Sequence, residues 1–303
     1  MKDFRDKVVV VTGAASGMGR ELAVKLGQRG AHVAISDVDP DGLAETERLV
    51  KATGAQVHSQ LLNVAEREAV LAYADTVATH FAKVNAIFNN AGIAHHGEIE
   101  HMEFKDIDRV MDVDFWGVVN GTKAFLPHII ASGDGHIVNT SSLFGLLSEP
   151  GQSAYNSAKF AVRGFTEALN QEMIVAKHPV KVTCVHPGGI KTAIARNATM
   201  SGDDQGITEA FEKYFLRMNP AKAADIILSG VEKGRARVLV GNDAKVLDLW
   251  VRVVASGYQG ILARGTRLAL ARFNNCLLYT SDPADDLLSV YLGGRRLIQK
   301  KKD

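Results

Sequence analysis

Tyr155 and Lys159 stand four residues apart, which puts a phenol and an ammonium on one helix face about one turn from each other. A free phenol gives up its proton near pH ~10 and is a poor acid or base at neutrality. A fixed ammonium beside it stabilises the phenolate and draws that pKa down. Tyr155-Asn156-Ser157-Ala158-Lys159 is therefore a compact proton-transfer device, provided its surroundings hold a substrate against it. Taken alone, the pair equally fits a solvated helix face with an aromatic neighbour. Upstream, the Ser142 hydroxyl could hold a carbonyl or alcohol oxygen beside the phenol, although Ser141-Ser142 also suits a plain turn.

The elements that would position these groups begin at Val8-Val9-Val10-Val11, an apolar β-branched run suited to a strand buried on both faces of a parallel sheet. Thr12-Gly13-Ala14-Ala15-Ser16-Gly17-Met18-Gly19 follows at once, then a helix with Met18, Leu22, Ala23 and Leu26 on one stripe. A glycine-rich turn in that context lets backbone approach a pyrophosphate and aims a helix N-terminus at it. Its spacing is Gly13-x-x-x-Gly17-x-Gly19, not G-x-G-x-x-G. His32 to Ser36 reads as a second strand closing on Asp37. A carboxylate there can accept both ribose hydroxyls of an adenosine and repels a 2′-phosphate, which favours NAD over NADP; the plainer alternative is a turn or cap residue.

The alternation continues, with strands over 57–62, 86–89, 136–140, 180–185 and 238–240 and helices over 66–81, 104–130 and 222–233. A further helix carries Tyr155 and Lys159 to about residue 176. Such alternation predicts right-handed βαβ crossovers and a doubly wound parallel sheet in a single domain, residues 1–243. Ligands of these sheets bind outside the carboxyl ends of the strands, where Asn90-Ala91-Gly92, Ser141-Ser142 and Pro187-Gly188 converge. Residues 190–218 lack a strong period and read as a mobile substrate lid.

Composition bounds the partners. With 303 residues, 46% hydrophobic, 23% charged and a net charge of +1, the chain has an ordinary core and no basic field for nucleic acid. Cys184 and Cys276 alone exclude a disulfide framework, and a charged N-terminus without a leader pattern points to the cytoplasm. No His, Cys, Asp and Glu cluster has metal-ligand spacing, and His95-His96 reads as a polar surface loop. Residues 244–275 form a basic amphipathic helical extension; closing the mouth of the site or an oligomer contact is favoured over a membrane surface. Residues 276–303 are similar to translated sequencing-adapter read-through and are taken as a non-native or disordered tail.

Together Thr12-Gly13-x-x-x-Gly17-x-Gly19, Asn89-Asn90-Ala91-Gly92, Ser142, Tyr155-x-x-x-Lys159 and Pro187-Gly188-x-x-x-Thr192 resemble the short-chain dehydrogenase/reductase family, in order and spacing, from about Lys7 to Gly241. The resemblance implies a seven-stranded Rossmann-type sheet, a nicotinamide cofactor, a homodimer or homotetramer, and reversible alcohol–carbonyl oxidoreduction on a small molecule. It assigns Tyr155 as acid/base, Lys159 as the residue that lowers its pKa and binds the nicotinamide ribose, and Ser142 as the group orienting the substrate oxygen. Gly13, Ser16, Gly17, Met18, Gly19, Asp37, Asn90, Ala91 and Gly92 would bind the cofactor, with Pro187, Gly188, Ile190 and Thr192 on its nicotinamide half. Asn63-Val64 stands where the family has Asp-Val against the adenine, a mild departure because an amide oxygen still accepts from the adenine amine. Asp114 is the larger one: the family's fourth catalytic residue is an asparagine. A carboxylate there would raise the Lys159 pKa and weaken its help to Tyr155. The alternative function is thus a dinucleotide-binding protein with reduced or lost turnover.

Overall fold

The computed structural model describes residues 1–192, 194, 197–201 and 218–268. The elements alternate from the start: β1 (Val8–Thr12), α1 (Gly17–Gln28), β2 (His32–Asp37), α2 (Pro40–Lys51), β3 (Val57–Leu61), α3 (Arg67–Phe81) and β4 (Ala86–Asn89). A short β5 (His95–His96) precedes α4 (Phe104–Met111), a π-turn (Asp112–Trp116), α5 (Gly117–Ala131) and β6 (Gly135–Thr140). Then come α6 (Ser153–Val175), β7 (Val180–Pro187), β8 (Thr199–Met200), α7 (Pro220–Glu232), β9 (Arg237–Val240) and α8 (Asn242–Val254).

The main sheet has seven strands in the order β3-β2-β1-β4-β6-β7-β9, each pair parallel. This is the doubly wound α/β architecture, with its reversal of direction between β1 and β4. The valine run explains the layering. Val9 and Val11 pack with Leu22 and Leu26 of α1 and Ile227 of α7, whereas Val8 and Val10 pack with Val77 of α3, Phe125 of α5 and Leu169 of α6. A strand alternates its side chains, so an all-valine β1 feeds both cores. Met1–Tyr258 forms one compact unit; a second begins at Gln259, and its described part, 259–268, is helical. Residues 193, 195–196 and 202–217 of the expected lid, the end of the extension from 269, and the 276–303 tail lie outside the described residues.

The stretch read as one helix over 104–130 is interrupted by the π-turn, which holds Asp114. His95 is not a surface residue: it is 2% exposed, and β5 pairs with β8 in a separate two-stranded sheet.

Candidate active site

The glycine-rich turn works by backbone proximity. Gly13 has φ +65°, and a Cβ there would lie 2.6 Å from Ala91 Cα, so the turn abuts the Asn90-Ala91-Gly92 loop. A Cβ on Gly19 would overlap the Gly13 carbonyl, which lets α1 start hard against the turn it leaves. Ser16 caps α1 in an extended conformation without a side-chain hydrogen bond, so no side chain competes for the first-turn amides. Met18 beside them is buried in the core. Such a cradle of open helix-end donors and side-chain-free backbone fits a pyrophosphate.

Thr12 ties this turn to the next strand end. Its Oγ1 accepts from the Asn90 and Ala91 amides at 3.0 and 3.1 Å, and Asn90 Nδ2 donates to the Thr12 and Gly13 carbonyls, each at 3.2 Å. Asp37 ends β2 beside the turn, where its carboxylate accepts from Ala15 N at 2.9 Å and Val38 N at 2.7 Å. Asn63 Oδ1 accepts from Ala65 N at 3.1 Å, and the Val64 carbonyl accepts from Asn120 Nδ2 at 3.0 Å. On the far side, Gly188 N donates to Val240 O at 2.9 Å and Ile190 is buried. Thr192 comes back to the turn: a Cβ on Gly17 would lie 3.1 Å from its Cγ2. The residues that the sequence suggests for a cofactor thus follow the carboxyl ends of strands from β3 to β7, and Pro187 ends β7.

Tyr155 and Lys159 sit in the first two turns of α6, with Lys159 Nζ 5.4 Å from the centre of the phenol ring. The ammonium is 2.8 Å from Asp114 Oδ2 and donates to Thr140 O at 3.3 Å. Asp114 is fully buried and its other oxygen accepts from Ile93 N at 2.8 Å. Gly92 packs against this ion pair: a Cβ there would stand 3.3 Å from Asp114 Oδ2 and 3.4 Å from Lys159 Nζ. The π-turn forms with an aspartate in it, and the loop after β4 supplies an amide to that carboxylate.

Electrostatics at the phenol run in opposing directions. Burial pushes the Tyr155 phenol above its ordinary range; the Lys159 charge pulls it down, the Asp114 charge pushes it up, and a hydrogen bond with the Ser142 hydroxyl lowers it. The lysine's pull is present but outweighed. Burial raises the Asp114 carboxyl while the Lys159 ammonium and Ile93 amide oppose that. For Lys159 burial acts to lower the pKa, but the Asp114 and Tyr155 charges hold the ammonium above its usual range. Ser142 Oγ also accepts from Phe144 N at 3.1 Å, and the Phe144 ring stands edge-on to Tyr155 with centroids 6.3 Å apart. His186 Nδ1 donates to the Ser142 carbonyl at 3.0 Å and fixes that strand end.

Several supporting contacts are not stated by the sequence, although Asn89 itself lies in the Asn89-Asn90-Ala91-Gly92 motif. Asn89 Nδ2 donates to Asn139 Oδ1 at 2.8 Å, and Asn139 Nδ2 to Thr166 Oγ1 at 3.0 Å, a buried chain joining β4, β6 and α6 beneath the site. His95 bonds Thr199 Oγ1 at 2.8 Å and Ser201 Oγ at 2.9 Å. The doubled asparagine after β4 was a usable signal for the first; nothing local marks the second.

A family model described as short chain dehydrogenase matches residues 7–203. The chain is 62% identical over 267 residues to the Mycobacterium tuberculosis protein SadH, named as an oxidoreductase, with 88% of this chain and 97% of that one covered. A Burkholderia phymatum short-chain dehydrogenase/reductase crystallised with NAD superposes with a TM-score of 0.79 at 28% identity, over 84% of this chain and 95% of that one. A Mycobacterium paratuberculosis short-chain dehydrogenase bound to NAD gives 0.69 at 26% identity, over 79% and 97%.

Proposed function

The chain belongs to the short-chain dehydrogenases, a family of oxidoreductases, and from that premise we propose that it interconverts a secondary alcohol and a ketone with NAD. The bound nicotinamide would accept or give the hydride. Tyr155 takes the alcohol proton in oxidation and returns one to the carbonyl oxygen in reduction, with Ser142 holding that oxygen beside the phenol. Lys159 supports the phenolate, and Asp114 sets how strongly it can do so. Gly13, Ser16, Gly17, Met18 and Gly19 receive the pyrophosphate; Asp37, Asn63 and Val64 face the adenosine half; Asn90, Ala91, Gly92, Pro187, Gly188, Ile190 and Thr192 line the nicotinamide half. Asp37 is the reason for choosing NAD over NADP. Trp116 and Phe160, both large and exposed on the α5–α6 side, support a homodimer or homotetramer.

One observation carries this reading: Ser142, Tyr155 and the ammonium of Lys159 interact at the same sheet edge as the glycine-rich cradle. A second reading, cofactor binding with little turnover, draws on the 2.8 Å Lys159–Asp114 ion pair, which spends the ammonium on a carboxylate. To separate them, NAD and NADP are offered with a panel of secondary alcohols and ketones while the reduced-nicotinamide absorbance is followed. Turnover with NAD, reduced about 10²–10⁴-fold in Tyr155→Phe, is expected. Cofactor binding with no turnover, in wild type and Asp114→Asn alike, would favour the second reading.

A further inference from the structure

The element that follows the sheet makes contacts that the family motifs do not describe. Asp243, in the first turn of α8, accepts from Gly189 N at 2.7 Å. Its carboxylate occupies a niche between two glycines: a Cβ on Gly188 or on Gly241 would overlap it. Gly241 has φ +113°, a conformation that favours glycine and turns the chain so that α8 starts under the β7 end. Gly189 O in turn accepts from Met218 N at 3.0 Å, and Lys191 N donates to Met218 O at 2.9 Å. The carboxylate thus anchors the base of the loop over 187–192, which reaches back to Gly17 through Thr192.

Beyond α8, Tyr258 is 8% exposed, stands edge-on to Trp250 of α8, and accepts from Ser148 N through its hydroxyl at 3.1 Å. Ser148 belongs to the segment between Ser142 and Tyr155. The next residue, Glu149, accepts from Asn156 Nδ2 at 2.9 Å through its carbonyl, so the held segment is fastened to the start of α6. Between these ends, Asp248 of α8 pairs with Arg237 of β9 at 3.3 Å, and Arg237 pairs with Glu167 of α6 at 3.1 Å.

We infer that Asp243 and Tyr258 are positioning residues: Asp243 holds the loop over 187–192 for the nicotinamide half of the cofactor, and Tyr258 independently holds the segment over 146–152 ahead of Tyr155. Neither touches the reacting atoms. The assignment of cofactor to the first loop rests on the function proposed above, but the two ties themselves do not. Each tie is one hydrogen bond to a backbone amide, so its loss loosens one loop and leaves the other as it was.

The test uses the full chain, with amide hydrogen exchange read on peptides covering 187–192 and 146–152 and NADH binding read by fluorescence titration. Asp243→Ala is expected to speed exchange in the first peptide only and to weaken NADH about tenfold, near the worth of one hydrogen bond to a charged acceptor. Asp243→Asn keeps an acceptor oxygen and stays close to wild type in both readouts. Tyr258→Phe is expected to speed exchange in the second peptide only and to leave NADH binding within about twofold. Unchanged exchange in Asp243→Ala and Tyr258→Phe, or equal loosening of both loops in either variant, overturns the inference. Failure of the wild-type chain to bind NADH or NADPH would overturn the proposed function, while the exchange pattern would still decide between separate ties and general support.

Discussion

At the β1 end of the site, position is set by what side chains are absent or by what backbone can reach: Gly13 against Ala91, Gly19 against the Gly13 carbonyl, and Thr12 and Asn90 bonding to main chain. At the β6 end it is set by charge, since Lys159 and Asp114 are both buried and 2.8 Å apart. The first kind of site fails when atoms are added and the second when a charge is removed. Backbone geometry is local and carries no charge to balance. A buried ion pair is costly to make and costlier to break, because a partner left alone keeps its desolvation penalty.

Gly19→Val should be the most damaging change in the first region. Its Cβ would overlap the Gly13 carbonyl, and backbone cannot withdraw as the end of a flexible side chain can. We expect NADH binding to be lost at micromolar concentrations, read by fluorescence titration, with destabilisation of about 1–3 kcal/mol or more from overpacking. Gly164 in α6 is the control: nothing lies within 4 Å of its Cβ position, so Gly164→Ala should keep binding and gain about 0.5–1 kcal/mol. If Gly19→Val bound NADH normally, the claim that approach of backbone builds this half would be wrong.

In the second region Lys159→Met strands the Asp114 carboxylate and should cost about 3–5 kcal/mol in urea unfolding. Adding Asp114→Asn to it should recover part of that loss, a coupling a double-mutant cycle reads directly. Asp114→Asn alone leaves the buried Lys159 ammonium with the Thr140 carbonyl and a neutral amide, so it also costs stability, and its effect on chemistry is read separately. The carboxylate charge raises the Tyr155 pKa, so removing it lowers that pKa. Alcohol oxidation needs the phenolate, so its rising limb in kcat/KM against pH should move to lower pH. Ketone reduction needs the phenol, so its falling limb should move the same way. Limbs that stay fixed, or that move in opposite directions, would detach Asp114 from the proton relay.

The two halves also differed in how much the sequence disclosed. Gly13, Gly17 and Gly19 declare themselves because a turn between strand and helix is a local matter, and the valine run of β1 states that both its faces are covered. The motif spacing likewise led to Tyr155, Lys159 and Ser142. The π-turn did not show in the helical pattern over 104–130, and the amide that its aspartate accepts from, Ile93 N, comes from another strand end. His95 looked like surface because its partners, Thr199 and Ser201, are more than a hundred residues on. Asp243 and Tyr258 were hidden for the same reason: each bonds a backbone amide, which has no sequence signature.

The smallest effect is expected at Glu149, a carboxyl between Ser142 and Tyr155 whose titration is shifted by burial. Burial pushes its pKa up to about 7, well above the usual carboxylate range. The folded state therefore keeps a proton that the unfolded chain releases, and stability from this group is present in full below the unfolded value and is lost as pH rises toward the folded one. Glu149→Gln keeps the shape and removes the titration. It should match wild type near pH 4 and be the more stable of the two at pH 8, with the gap opening between those limits. Because the side chain is only partly buried, water screens the penalty and the gap should be smaller than that at Lys159. Urea midpoints across that range measure it. A gap that is constant with pH would mean that Glu149 is held by contacts insensitive to its charge, and the β6 end would then depend on the Lys159–Asp114 ion pair rather than on charge balance throughout.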